Sequence, residues 1–326
     1  MKLKNRCECF LIIFFLLIVV SGIGCRKKDT SNQNLKKIAL LQYGSHPVID
    51  QVVKGFRDSI HTAYKDSLKV QYLNASFDMQ TAGQLSRQAV SESFDLFVSV
   101  TTPATGQMIG ADRGKIPLVF TFVSNPPDIG YTTQGSLKNV TGLSDQVDYE
   151  SSLKLIRSLM PAAKNIGYLV TRSEANALAV LAGFEKAAPS FNFEIRKAEV
   201  NDPGDVRIAA SALLPHVDLF LFGGDNNVET AISVLISVAR SKNLPTFACD
   251  EQSIERGAVA GYSVNYYDMG VKTASVAAKV LTGTSPENIT VVLYKSSRLI
   301  LNKKAAAQVG ITFPDSLSHL AQRIFN

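Results

Sequence analysis

From Lys36 onward the chain alternates apolar runs of strand length with segments whose apolar residues repeat at helical spacing. KKIALLQY is followed by Ile49, Val52, Val53, Phe56 and Ile60, spaced i, i+3, i+4, i+7 and i+11, which is one face of a helix. LKVQYL, FDLFVSV and IPLVFTFV then alternate with helices expected near Thr81 to Glu92 and Ala104 to Ala111. A second series, NIGYLV, FNFEIRKAEV, VDLFLFG and LPTFAC, is separated by helices near Ala175 to Ala188, Val206 to Leu214 and Val228 to Ser241. Steady alternation of this kind predicts an α/β fold of parallel sheets covered by helices on both faces. The two series, 36–143 and 146–248, predict two similar open sheets in tandem, and 326 residues suffice for two such cores. The tail adds a strand, AVAGYSV, a helix from Tyr267 to Leu281, a strand, NITVVLY, and short helices. These remnants complete both lobes, so the chain crosses between them more than once and forms a hinge.

The body is preceded by a basic start (Lys2, Lys4, Arg6), an apolar run from Phe10 to Val20, and then Ser21, Gly22, Ile23, Gly24 and Cys25. This reads as a secretion signal, because the apolar run falls well short of the roughly 20 residues of a spanning helix. Gly24 before Cys25 resembles a bacterial lipobox, with Gly22 where Leu is usual, so residues 1–25 are expected to end at a lipidated Cys25. RKKDTSNQN, within 26–35, suits a flexible tether. Cys7 and Cys9 lie in the leader, which leaves Cys249 alone in the body, with no internal disulfide and no metal-type spacing. Cys249 itself is expected to be a small buried residue at a strand end. A composition of 46% hydrophobic and 19% charged residues excludes disorder and a multi-span membrane protein. The net charge of +6 comes without a basic run interleaved with aromatics, so no nucleic-acid partner is expected.

In open parallel sheets ligands collect beyond the carboxyl ends of the strands. Those corners read Tyr43-Gly-Ser-His-Pro, Thr101-Thr-Pro-Ala-Thr, Val123-Ser-Asn-Pro-Pro, Thr171-Arg-Ser-Glu-Ala-Asn, Gly223-Gly-Asp-Asn-Asn and Cys249-Asp-Glu-Gln. Each holds side chains that cap helices or hydrogen-bond small polar ligands, and one such corner alone needs only a capping explanation. Six, divided between two lobes, point to a cleft lined from both sides. Thr101, Thr102 and Thr105 bring uncharged hydroxyls to a helix start, which suits a carboxylate or phosphate. The second lobe offers Glu174, Asp225 and Asp250 or Glu251, acceptors for an ammonium group. A zwitterion satisfies both halves. Ser45 or His46 can cap the helix that Pro47 begins, and His46 reads equally as a ligand contact or as a neutral histidine held by local backbone. Tyr43, Tyr262 and Tyr266 lie near strand ends, where each can face a ring-bearing ligand or pack in a core.

Catalytic signatures are missing. His46, His61, His216 and His319 form no HExxH pattern, and there is no GxxxxGK[ST], dinucleotide-type glycine fingerprint or nucleophile elbow. Neither metal nor cofactor is expected.

LQYGSHPVIDQVVKGFRDSI, TTPAT followed by KIPLVFTFVSNP, KNVTGLSD, RSEAN, GGDNNV, LPTFACDEQSIERGAVAGYSVNYYDMG and LILNKKAAAQVGITFPDSL resemble, in this order, the ABC-transporter substrate-binding lipoproteins whose members include tryptophan and tyrosine receptors. The resemblance covers the body from about Lys36 to Leu317. It implies a type I periplasmic-binding-protein fold: two Rossmann-like lobes with parallel sheets, joined by a multi-segment hinge that crosses three times, with a ligand gripped between them. By the family pattern the first lobe holds 36–143 plus 251–288 and the second 146–249 plus 290–326. The ligand-facing positions it implies are His46, Thr102, Ala104, Thr105, Ser124, Asn125, Glu174, Asn176, Asp225, Asn226 and Asp250, to which the reading of the corners adds Tyr43. Ser45 and Asn125 depart from the family pattern, which often has an acidic or amide residue and Asp there. The resemblance implies a monomeric, non-enzymatic receptor, lipid-anchored on the periplasmic or extracellular face. It would deliver an amino acid or similar zwitterion to an ABC permease and its ATPase. Two alternatives stay open: a receptor feeding a sensor kinase or chemoreceptor without transport, and an exported hydrolase or lyase using Asp225 or Glu174 as base.

Overall fold

The computed structural model describes residues 35–131, 137–295 and 298–326. The leader, Cys25 and the tether up to residue 34 lie outside them. Among the described residues no helix is long and apolar enough to cross a membrane.

The first half opens with β1 (Lys36–Gln42), α1 (Pro47–Tyr64), β2 (Leu68–Asn74), α2 (Met79–Ser91), β3 (Leu96–Val100), α3 (Thr102–Asp112) and β4 (Leu118–Thr121). β5 (Val140–Gln146) follows, and a late strand, β11 (Val292–Lys295), completes a parallel sheet of order β11-β5-β4-β3-β1-β2. The second half runs α4 (Tyr149–Leu159), β6 (Asn165–Thr171), α5 (Ala175–Ala187), β7 (Glu194–Val200), α6 (Val206–Leu213), β8 (Leu219–Phe222), α7 (Asn226–Thr230), α8 (Ile232–Arg240) and β9 (Thr246–Ala248). Its parallel sheet has the order β7-β6-β8-β9. After α9 (Glu251–Glu255) come β10 (Ala260–Ser263), α10 (Tyr266–Leu281), β12 (Arg298–Asn302), α11 (Lys303–Gln308), α12 (Asp315–Leu320) and β13 (Arg323–Phe325). β10, β12 and β13 make a small sheet, and the Val259 N–H donates to the Thr246 carbonyl, tying that sheet to β9.

The cores confirm two lobes. Val52, Phe56, Val98 and Leu143 share one apolar cluster with Met269 and Ala277 of α10, and Leu41, Phe97 and Phe120 form a second on the opposite face of the same sheet. Phe184, Leu219 and Leu221 pack with Val259, Ala260 and Leu301, while Phe220, Phe222 and Ile254 fill the other face of the second sheet. The chain crosses after β5, after β10 and between β11 and β12. Two boundaries therefore differ from those implied by the family pattern. Residues 251–263 belong with the second lobe, because Ala260 pairs with Leu301 and Ile254 is buried in the second core. Val292–Lys295 belong with the first, because they pair with Leu143–Gln146 of β5. The first lobe also keeps β5 through Gln146, three residues beyond the expected limit.

α1 and α10 lie side by side at backbone contact distance. A Cβ on Gly270 would sit 2.0 Å from the Val52 carbonyl oxygen, and one on Gly55 2.0 Å from that of Tyr267. Only glycine permits this approach. Gly270→Ala should destabilise the protein by about 1–3 kcal/mol in urea unfolding. Gly106→Ala, within α3, where a Cβ meets nothing within 4 Å, should be neutral or stabilising by up to about 1 kcal/mol.

Candidate functional site

Both parallel sheets reverse their strand order once, between β1 and β3 and between β6 and β8. Ligands bind at such reversals because the flanking loops splay apart and leave a crevice over the carboxyl ends of the strands. Here the two crevices face each other. His46 after β1, Thr101 and Thr102 after β3, Ser124 after β4 and Asp145 of β5 line one cavity with Asn176 after β6, Asp225 and Asn226 after β8, and Asp250 after β9. The space between them is about 500 Å³ with the open solvent included, of which only about 30 Å³ is accessible to the centre of a water-sized sphere.

His46 bridges the lobes. Its Nδ1 caps α1, accepting from the Ile49 N–H at 3.5 Å, which leaves Nε2 to carry the proton toward Asn226 Oδ1, 3.4 Å away in the opposite lobe. The ring stacks on Phe77 at 5.8 Å, and only 5% of the residue is exposed. Burial, assisted by the Arg256 charge and opposed by the Asn226 bond, lowers its pKa to about 4, so the imidazole is neutral.

Thr101 begins α3 with φ of 84°, a left-handed conformation that is strained for a β-branched residue. The hydroxyls of Thr101 and Thr102 are buried without a partner. Where α3 packs against α5 across the cleft, Glu174 Oε1 and Asn176 Oδ1 are likewise buried and unpartnered. Glu174 Oε2, in contrast, accepts from the Asn176 and Asn226 side-chain amides and the Asn226 N–H. Burial first, then the Asp225 charge, raises the Glu174 carboxyl to about 7. Two hydroxyls of the first lobe and two oxygens of the second are thus buried without partners.

Asp225 lines the cavity, yet both its oxygens are engaged. Oδ1 takes the Thr171 hydroxyl and the Asn227 and Val228 N–H groups, and Oδ2 takes the Thr171 N–H at 2.6 Å. It caps α7 and ties β6 to β8. Toward the hinge, Asp250 caps α9 through Oδ1 and leaves Oδ2 buried without a partner, while Glu229, raised well above an ordinary carboxyl by burial, accepts from the Ser253 hydroxyl. The wall there is apolar and aromatic: Phe122 and Tyr266 meet edge to face at 5.1 Å, with Val147, Phe222 and Cys249 beside them. Burial pushes the Cys249 thiol up to about 12, which leaves it unreactive. Asp145 also faces this side, accepting from the Ser124 hydroxyl at 3.2 Å, and burial raises it to about 7.

Of the residues expected from sequence, His46, Thr102, Ser124, Asn176, Asp225, Asn226 and Asp250 line the cavity, and Glu174 stands directly behind Asn176 and Asn226. Four do not. Tyr43 packs edge-on against Phe77, and burial, assisted by the Glu174 charge, raises its hydroxyl to about 12. Ala104 is fully buried in the first core. The Thr105 hydroxyl is bonded to Ser99 and the Thr101 carbonyl. Asn125 turns to Asp128 and borders a separate surface hollow. Glu251, an alternative to Asp250, pairs with Arg298 and Arg323. Phe122, Asp145, Val147, Phe222 and Glu229 line the cavity without having been singled out from sequence.

Two parallel-sheet lobes, three crossings and a cleft at both strand-order reversals define a type I periplasmic-binding-protein fold. The chain belongs to the ABC transporter substrate binding protein family, whose pattern matches residues 37–325. Members of that family are substrate-binding proteins. A tyrosine-binding protein of Clostridioides difficile is 29% identical over 318 residues, 92% of this chain and 91% of the relative. Among solved structures, a Streptococcus pneumonia domain in complex with L-Trp is 27% identical, with a TM-score of 0.85 over 89% of this chain and 99% of that one. A ligand-free, open substrate-binding protein from Clostridium difficile, 25% identical with the same coverage, reaches only 0.66.

The His46 contact sets a pH dependence. The folded protein keeps this ring neutral while the unfolded chain protonates near 6.5. Its contribution is therefore complete above pH 6.5 and is lost as pH falls toward 4, amounting to about 3 kcal/mol. The raised carboxyls of Asp145 and Glu174 act in the opposite sense, so a variant must isolate the histidine. His46→Asn keeps a capping side chain without titrating. Urea unfolding of parent and variant at pH 7 and pH 4.5 should show the parent losing more stability on acidification.

Proposed function

We propose that this protein is the extracytoplasmic receptor of an ABC importer and that it captures an aromatic α-amino acid as a monomer anchored through a lipid on Cys25. The carboxylate meets the Thr101 and Thr102 hydroxyls and the positive start of α3. The ammonium meets Glu174 Oε1 and Asn176 Oδ1 in the other lobe. The ring lies against Phe122 and Tyr266. The observation that carries this reading is that α3 and α5, which touch across the cleft, bring buried unpartnered hydroxyls from one lobe and buried unpartnered oxygens from the other, each costly to bury until a zwitterion pairs it. The tyrosine-binding relative and the tryptophan-bound neighbour support an aromatic side chain. Because the two charges are held from opposite lobes, full binding requires closure, and the ligand stabilises the closed state by that difference. A closed, loaded receptor is then the form an importer must recognise.

Calorimetry with L-tryptophan, L-tyrosine, tryptamine and indole-3-propionate tests the reading. Removing either charge from the tryptophan skeleton should weaken binding by about 30-fold or more, roughly 2 kcal/mol, because a buried partner is left unpaired. Equal affinity for tryptophan and both analogues would remove the zwitterion from the proposal.

A further inference from the structure

Within the cavity Asp145 has no partner in the head-group reading above. It is 5% exposed, lines the cavity, and sits where the wall is otherwise formed by Phe122, Tyr266, Val147 and Cys249. Among the described residues lining the cavity there is no Lys or Arg. Its protein donor on the cavity side is the Ser124 hydroxyl. A carboxyl held in this way gains from a further donor supplied by whatever occupies the space.

Position decides which donor. Thr101 follows β3 and Asp145 is the penultimate residue of β5, with β4 between them, so their strands are two spacings apart, about 10 Å. An α-amino acid carries its ammonium and carboxylate on one carbon, so a head group seated on Thr101 and Thr102 cannot also bring its ammonium to Asp145. The end of an aromatic side chain running toward the hinge does arrive there. Of the other carboxyls on that side, Glu229 accepts from the Ser253 hydroxyl, and Asp250 caps α9 through Oδ1 while its Oδ2 is buried without a partner.

We infer that Asp145, oriented by Ser124, is the residue that selects among aromatic amino acids, accepting the indole N–H of tryptophan or the phenol O–H of tyrosine and so disfavouring phenylalanine. This rests on the aromatic-amino-acid reading. A buried site built to hydrogen-bond a side-chain N–H or O–H rejects the ligand lacking it, because the acceptor is then left dry and unpaired. The elevated carboxyl of Asp145 fits a group waiting for such a donor.

Calorimetric titration of the full protein with L-tryptophan, L-tyrosine, L-phenylalanine and 1-methyl-L-tryptophan separates the possibilities. The parent should bind tryptophan or tyrosine about 10-fold or more tighter than phenylalanine, and N-methylation should cost tryptophan about as much. In Asp145→Leu the preference should shrink to within about 3-fold while phenylalanine affinity changes little. An equal loss for tryptophan and phenylalanine in that variant would assign Asp145 to the ammonium or to structure and overturn the inference. So would a parent that binds tryptophan, 1-methyltryptophan and phenylalanine alike, a result that needs no variant to fold. If the parent binds none of the four, the aromatic-amino-acid reading itself fails and this inference with it.

Discussion

Parallel pairing is the constraint on which the rest of this structure depends. In a parallel sheet every strand runs the same way, so all the carboxyl ends, with the helix starts that follow them, emerge on one edge. Two such sheets in one chain, each reversing its order once, concentrate their exposed amides and capping side chains at two points. The hinge crossings bring those points face to face. Nothing further is needed to explain why His46, Thr102, Asn176 and Asn226, scattered over 181 positions of the sequence, border one cavity.

The cavity is assembled from groups that water would otherwise satisfy. Glu174, Asp145 and Glu229 all carry carboxyls raised by burial, and the Thr101 and Thr102 hydroxyls have no partner. Such groups weaken any arrangement that buries them without a partner. The direct His46 contact with Asn226 and the packing of α3 on α5 oppose that penalty across the cleft. A closed state left marginal by its own polar lining is one that a complementary ligand can tip.

Much of this was legible because periodicity and capping are local. The alternation of β and α segments, the helix starts at Pro47, Thr102 and Ala175, and the corners that follow the strands could all be read from neighbouring residues. β5 could not. VTGLSDQ lacks a strand's apolar run although it is almost wholly buried. Gly142 lies in it because the Phe120 carbonyl oxygen is 2.1 Å from where a Cβ would be, and Asp145 lies in it to face the cavity. Phe122 was hidden differently: its φ of 57° turns a residue of an apolar run into the cleft, and no pattern of hydrophobicity encodes that turn. Asp225 had two readings from sequence, cap and contact. It caps α7, and the cavity passes over it. The lobe limits were misread where strand pairing joins residues far apart in sequence, as Val292 joins Leu143.

The glycine contact between α1 and α10 reaches further than the stability of one lobe. His46 stands at the start of α1 and Tyr266 at the start of α10, so two residues of the cavity wall ride on a helix pair whose backbones touch at Gly55 and Gly270. That half of the binding surface is cast as a single piece. A descendant acquiring a new solute would find it hard to reshape there without loosening the whole lobe. Its evolutionary freedom lies across the gap, in the loops after β6 and β8.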